Sequence, residues 1–362
     1  MKIFRQLLLK YFYKFFPDRK LFCPIPFKYM EVGTDKTSLC CYLYKSPGMI
    51  KNNDFLSLYN SPDAQEARRS ILDGTFQYCD LDACPHFSSG DLPLQKDCVG
   101  TPYEEIINKK QTVLAKKSIW VAFDARCNLR CFSCRKEPYQ PTVEQIDQIE
   151  KKMQVIKDNL STIEHIGLTG NGDPFASPTI RKFLYELNSA EYPHLKITLL
   201  TNGLLFNEET WNSMAKSRAV IRSVQVSVDA STQASYEKIR IGGSFEKLMN
   251  NLKYISKLRK LNQISEFIIS MVVNAINYKE MQDFIKLGID LGCDQIYFSY
   301  MGNWGTLTDA EYNDLAVHLP AHKLHEDFRK ILENPIFNHP AVFLGCIKRF
   351  QKKRVLRDSL FS

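Results

Sequence analysis

From Ser118 onward the chain repeats one pattern six times: a short apolar run, then a stretch whose apolar residues recur at helical spacing. The runs are Ser118–Ala125, Ile163–Leu168, Leu195–Leu200, Val224–Val228, Phe267–Val273 and Gln295–Tyr300. Thr142, with Gln145 three residues on, makes a capping box for a helix whose Val143, Ile146, Ile149, Met153, Ile156 and Leu160 share one face. Ser177–Pro178 and Asn207 open the next two helices, and Asn277 with Glu280 forms a further cap pair before a helix through Phe284, Ile285 and Ile289. Strands joined through helices run parallel with right-handed crossovers, so the fold class is α/β, either a barrel or an open doubly wound sheet.

In barrels of parallel strands, ligands bind at the C-terminal strand ends. Each polar or glycine-rich cluster of this region falls there. Cys127, Cys131 and Cys134 follow the first run, Gly170-Asn171-Gly172-Asp173 the second, Asn202 the third, and Ser227 with Asp229 the fourth. One such cluster is an ordinary turn, whereas four on one rim imply a shared ligand.

The C-x3-C-x2-C spacing brings three soft thiolates to one point without a fourth. The residues that follow, Arg135-Lys136-Glu137-Pro138, supply no Cys or His. Three thiolates can hold three irons of a 4Fe–4S cluster and leave the fourth iron open for a ligand that is not protein. A structural zinc needs four closed ligands. A disulfide with a spare thiol needs an oxidising compartment, and Met1–Lys20 is broken by Arg5, Lys10 and Lys14 rather than built as a secretory signal.

With 362 residues, 44% hydrophobic and 24% charged, the chain suits two domains or one barrel with an appendage. Eleven cysteines are too few for a disulfide scaffold of this length, and they cluster, which favours a reducing cytoplasmic setting. No run approaches about twenty apolar residues, so no membrane span is expected. The net charge of +8 is diffuse and lacks the aromatic interleaving of a nucleic-acid binder. Ile3, Phe4, Leu7, Leu8, Tyr11, Phe12 and Phe15 mark a basic amphipathic helix within residues 1–20. It either packs on the body or, through residues 1–16, rests on an anionic membrane surface.

The cysteine triplet after the first strand and the glycine-rich turn ending in an acid after the second resemble the radical S-adenosylmethionine (radical SAM) superfamily. The resemblance spans residues 118–313. It implies a partial (β/α)6 barrel of parallel strands, a 4Fe–4S cluster on Cys127, Cys131 and Cys134, and S-adenosylmethionine on the open iron. Gly170, Asn171, Gly172 and Asp173 would then receive the methionyl amino group. Asn202, Ser227 and Asp229 would face the ribose and sulfonium, and Arg240 would meet the methionyl carboxylate. Two departures from the family pattern are Ser133 preceded by Phe132, where an aromatic residue often stands just before the third cysteine, and Asp173 in place of Glu. The implied reaction is reductive cleavage of S-adenosylmethionine to a 5′-deoxyadenosyl radical that removes hydrogen from a substrate, fed by a flavodoxin- or ferredoxin-type donor.

A second resemblance lies in residues 21–100, which hold six of the eleven cysteines. Cys23-Pro24, Cys40-Cys41, the stretch Ser61-Pro62-Asp63-Ala64 to Gly74, and Cys79-x4-Cys84-Pro85 look like a SPASM-type auxiliary-cluster segment, placed before the core instead of after it. Cys23, Cys41, Cys79 and Cys84 are then the ligands of a second 4Fe–4S cluster, with Cys40 the alternative to Cys41 and Cys98 a substitute; a zinc knuckle fits the same spacing. Cys293 and Cys346 read as small buried hydrophobes, and residues 314–362 as a helical extension. The substrate implied is a peptide or protein side chain, or a sugar or other small metabolite, undergoing a net oxidation. A non-catalytic iron–sulfur or zinc scaffold is the competing class, but it has no need of the polar rim.

Overall fold

Alternation of apolar and polar side chains decides which face of each strand is covered. In the computed structural model, which describes residues 11–81, 84–88, 90, 92–115 and 117–351, the six expected runs are strands. They are β4 (Lys117–Val121), β5 (Ile163–Leu168), β6 (Lys196–Thr201), β7 (Ile221–Ser227), β8 (Glu266–Val273) and β9 (Gln295–Tyr300). Each pairs with the next in parallel. Three short strands precede them, β1 (Met30–Val32), β2 (Lys36–Ser38) and β3 (Gly48–Met49), and β10 (Val342–Phe343) follows.

The sheet order is β10-β9-β8-β7-β6-β5-β4-β1-β2-β3. From β4 to β9 the strands lie in chain order without the reversal that defines a doubly wound sheet. The winding is therefore that of a barrel, left open because β3 and β10 do not pair. The connecting helices are α2 (Val143–Asp158), α3 (Pro178–Glu186), α4 (Glu208–Ser213), α5 (Gln233–Ile239), α6 (Phe245–Lys260) and α7 (Met281–Asp290); an earlier helix, α1, is Pro62–Leu72.

Ile149, Met153 and Ile156 of α2 and Ile180, Phe183 and Leu184 of α3 join Ile163, Ile166 and Leu168 of β5 in one continuous core. Each such fully buried side chain contributes about 1.5–3 kcal/mol. At the alternate positions stand partly open residues: Trp120 on β4, Thr198 on β6, Gln225 and Ser227 on β7, Tyr297 and Ser299 on β9. The helix-facing side is thus dry and apolar, and the opposite side carries the polar groups.

Three of the four helix starts form as expected. Thr142 and Gln145 make the full capping box, Ser177 accepts from the Ile180 N–H, and Asn207 accepts from the Thr210 N–H. The fourth does not. Asn277 donates to the carbonyls of Asp229 and Val272, and the Glu280 carboxylate takes the hydroxyls of Ser231, Thr232 and Ser235. Both residues brace the loop after β7, which offers the Asp229 carbonyl to the Asn277 amide and three hydroxyl donors to the Glu280 carboxylate.

The N-terminal zone is continuous with the barrel. β1 pairs in parallel with β4, and α1 packs through Ala64, Ala67 and Ile71 into the same core. Arg68, fully buried, donates to the carbonyls of Pro26 and Thr112 and to Asn60 Oδ1. Beyond this, the helical turn Pro85–Ser88 touches Gly345–Phe350, which itself packs on β9. The cysteine-rich zone therefore spans from one edge of the open sheet to the other.

Of the expected N-terminal helix, residues 1–10 lie outside the described residues. Residues 11–15 are helical, with Tyr11, Phe12 and Phe15 exposed and Tyr13 buried against the Gly74 backbone. The expected extension holds the helix His325–Ile331 and β10, and residues 352–362 lie outside the described residues. No helix among the described residues is long and apolar enough to cross a membrane.

Candidate functional site

The loop after β4 begins at a buried acid. The Asp124 carboxylate binds the Arg126 guanidinium through two oxygens at 2.9 and 3.0 Å from Nε and accepts the Ser177 hydroxyl at the start of α3. This bends the chain so that the Arg126 carbonyl accepts the Asp173 N–H (2.9 Å). The two strand-end loops touch at Gly172, where a Cβ would lie 2.6 Å from the Arg126 carbonyl oxygen and 2.7 Å from that of Asp124. Only glycine fits that approach.

Beyond Arg126 the cysteine loop is pinned from several sides. The N–H groups of Arg130 and Phe132 donate to the carbonyls of Ile241 and Ile239, at the end of α5. Thr306, after β9, donates its hydroxyl to the Cys134 carbonyl (3.1 Å). Each of the three thiols then meets a different side-chain N–H. Asn202 Nδ2 lies 3.7 Å from Cys127 Sγ, Arg240 Nη1 3.7 Å from Cys131 Sγ, and Arg135 Nη2 3.5 Å from Cys134 Sγ. The Leu129 N–H adds a further contact to Cys127 Sγ at 3.4 Å. Burial pushes the Cys127 and Cys131 thiols up, opposed at Cys127 by the Leu129 N–H and at Cys131 by Arg240.

The structure brings the rim residues together but gives several a different occupation from the one the sequence suggests. Gly170 and Asn171 are exposed on the rim. The Asn171 carbonyl accepts Arg135 Nη2 (2.7 Å). Asp173 is fully buried and does not face the opening. Its carboxylate accepts the Thr201 hydroxyl (2.7 Å), the Asn202 N–H (2.8 Å) and the Phe175 N–H (3.0 Å). Burial pushes its pKa up against these bonds.

Asn202 spans the cysteine loop and its own turn, donating to Cys127 and to Asn128 Oδ1 and accepting the Leu204 N–H. Ser227 ends β7, half-buried. Asp229 holds a left-handed φ of 66°, accepts the Val272 N–H (2.8 Å) and pairs with Arg240 Nη2 at 2.6 Å. Arg240, assigned from the sequence to a ligand carboxylate, is instead engaged by Asp229 and Cys131. Burial opposes its charge, but Asp229 beside it holds the guanidinium protonated.

Two buried donors near Cys131 have no acceptor, Arg240 Nε and the Tyr236 hydroxyl. Buried polar atoms are almost always satisfied, so these two mark room for a group with acceptor atoms. An anionic metal–thiolate cluster with a chelated ligand has such atoms, and the three-thiol, donor-rich loop fits it. The sequence reading did not anticipate Arg135 or the Asp124–Arg126 pair. A cation immediately after the last thiol, and an acid and a base two residues apart just before the first, were the available signals.

A second group of thiols lies in the N-terminal zone. Cys23, Cys40, Cys79 and Cys84 line one small cavity whose other walls are apolar, among them Ile25, Leu43, Phe76 and Leu81. Cys41, preferred from the sequence, is exposed and outside that lining; Cys40 is the residue of the pair that turns inward, and its sulfur accepts the Tyr42 N–H at 3.4 Å. Cys98 is buried elsewhere and donates to the Leu94 carbonyl. Burial pushes Cys23 up to about 11 and raises Cys79 and Cys84 as well, with neighbouring thiols adding to the effect, while Cys40 is raised by its hydrogen bond with Cys41 ahead of burial. All eleven cysteines are free. Among the described residues, no three Cys, His, Asp or Glu side chains converge closely enough for a single metal ion.

Fold and rim together define a parallel, open barrel with a three-thiol loop at its strand ends. Residues 123–288 match the model of the Radical SAM superfamily. The GTP 3′,8-cyclase of Peptoclostridium acidaminophilum is 28% identical over 188 residues, covering 49% of this chain and 53% of that protein. The GTP 3′,8-cyclase of Petrotoga mobilis is 28% identical over 186 residues, covering 50% and 54%. The chain thus spans about half the length of these curated relatives. Among solved structures, Streptococcus suis SuiB bound to precursor peptide SuiA is 17% identical, covering 68% of this chain and 54% of that one, with a TM-score of 0.43.

Proposed function

We propose that this protein is a radical SAM enzyme whose Cys127, Cys131 and Cys134 hold a 4Fe–4S cluster with S-adenosylmethionine at the open iron. Such a cluster supplies the electron that splits the sulfonium, leaving methionine and a 5′-deoxyadenosyl radical that removes hydrogen from the substrate. The observation that carries this reading is the meeting of three thiols from one loop with the rim residues of three neighbouring strands, beside two orphaned donors.

In this reading the chain's own residues keep the site in shape. Asp173 holds Thr201 and Asn202, Asn202 and Arg240 hold the cysteine loop, and the exposed Gly170 backbone receives the methionyl amino group. Ser227 and Asp229 border the nucleoside side. A flavodoxin- or ferredoxin-type protein in a reducing cytoplasm would deliver the electron.

Cys23, Cys40, Cys79 and Cys84 are our ligand set for a second 4Fe–4S cluster. The four thiols line one small cavity, and a cluster closed by four thiolates is the group we assign to it. The curated relatives name GTP, rather than a peptide or carbohydrate, as substrate, which makes GTP the first compound to assay with the shared chemistry.

The test is anaerobic reconstitution followed by S-adenosylmethionine, dithionite and GTP. The reading expects 5′-deoxyadenosine, lost in Cys131→Ala. A fully loaded protein that yields none, with or without GTP, would favour the scaffold reading.

A further inference from the structure

Arg135, Arg240 and Asn202 each address a different thiol of the loop, and their distances form a one-to-one set: 3.5 Å to Cys134, 3.7 Å to Cys131 and 3.7 Å to Cys127. A loop that only needed anchoring is already held through its backbone by Ile239, Ile241 and Thr306. Donors to sulfur do something that bonds to the loop's own backbone do not: they favour the more negative state of whatever the sulfurs carry, and a charged side chain does so more strongly than a neutral N–H.

Resting on the reading that these thiols bind a 4Fe–4S cluster, we propose that Arg240, its partner Asp229, and Arg135 are positioning residues that set the reduction potential of that cluster. The step is the gain of one electron by the cluster from a low-potential donor, with no bond made or broken. The added negative charge lies on the thiolates and their irons, where the two guanidinium groups stabilise it.

The two arginines are not equivalent. Arg240 lies in the interior, paired at 2.6 Å with an Asp229 side chain that is only 7% exposed. Removing Arg240 subtracts one positive charge and uncovers one negative charge beside Cys131. Arg135 is bound to the carbonyls of Ala125 and Asn171 and pairs with an exposed cysteine, so solvent screens it more. Asp229 acts in the opposite sense: its carboxylate offsets Arg240, and its loss leaves the guanidinium uncompensated.

The experiment is an EPR-monitored redox titration of the anaerobically reconstituted full chain, with dithionite as reductant and without S-adenosylmethionine. Cys23→Ala/Cys79→Ala serves as common background, so that only the three-thiol site is read. Arg240→Leu should lower the equilibrium constant for one-electron reduction at least tenfold, about 59 mV for n = 1. Arg135→Leu should lower it by a smaller factor, Arg240→Lys should stay within about threefold of the parent, and Asp229→Asn should raise it.

Opposite signs from the two halves of one ion pair are what structural damage does not produce. Unchanged potentials at full iron content, or a fall in both Arg240→Leu and Asp229→Asn, overturn the proposal. If Arg240→Leu does not load, Asp229→Asn decides alone, and a potential equal to or below the parent overturns it. A parent protein that forms no 4Fe–4S cluster instead removes the reading on which the proposal rests.

Discussion

The thiols of Cys127, Cys131 and Cys134 stand on one loop and each meets a side-chain N–H donor, whereas those of Cys23, Cys40, Cys79 and Cys84 come from three segments and share an apolar-walled cavity. The first arrangement tolerates negative charge and leaves a rim open at the strand ends. Burial pushes thiols up at both sites, Cys127 and Cys131 as well as Cys23, Cys79 and Cys84, but the second cavity is walled by apolar side chains where the first has arginine and asparagine. A site built for repeated reduction with an outside ligand resembles the first. A site that stays closed resembles the second. Both are joined by one frame, since the N-terminal zone continues the sheet through β1 and reaches β9 through Gly345–Phe350.

The contrast can be broken most forcefully at the loop. Cys131→Ala should abolish 5′-deoxyadenosine formation and remove roughly half of about eight irons per chain, while Cys23→Ala/Cys79→Ala should remove the other half and leave the three-thiol cluster in place. Iron analysis with EPR checks both; identical losses from the two changes would erase the distinction between the sites. The next largest effect belongs to Asp173→Ala. It strands the Thr201 hydroxyl and the Asn202 and Phe175 N–H groups in the interior, and should cost about 2–4 kcal/mol in denaturant unfolding. A loss below about 0.5 kcal/mol would mean the carboxylate is not the brace described.

Within the N-terminal cavity, Cys40→Ser should lower iron content and Cys41→Ser should not, because only the former lines the cavity. The reverse result would move the ligand back to Cys41. Smallest is Cys98→Ala, expected to leave the iron unchanged and to destabilise by about 1 kcal/mol, as a buried small side chain does.

The six barrel strands were legible because each is an apolar run followed by residues at helical spacing, three of them with a helix start that carries its own cap. β1 to β3 were not, since strands of two or three residues show no periodicity and exist only by extending the sheet, β1 on β4, β2 on β1 and β3 on β2. The three-thiol loop was legible from spacing alone. The duties of Asp173, Asp229 and Arg240 were not, because a rim position in sequence does not say whether a side chain turns out to a ligand or inward to a neighbouring turn. The same ambiguity hid Asn277 and Glu280, whose cap-like spacing serves a loop brought close only by the fold. Cys40 and Cys41 are adjacent, so only the local backbone decides which of them faces the cavity.

The central claim is an iron at Cys127, Cys131 and Cys134 that is open to S-adenosylmethionine. EPR of the reduced Cys23→Ala/Cys79→Ala protein, recorded before and after S-adenosylmethionine is added, addresses it most directly. The account predicts a 4Fe–4S signal whose g-values change on addition. An unchanged signal at full cluster occupancy would contradict it.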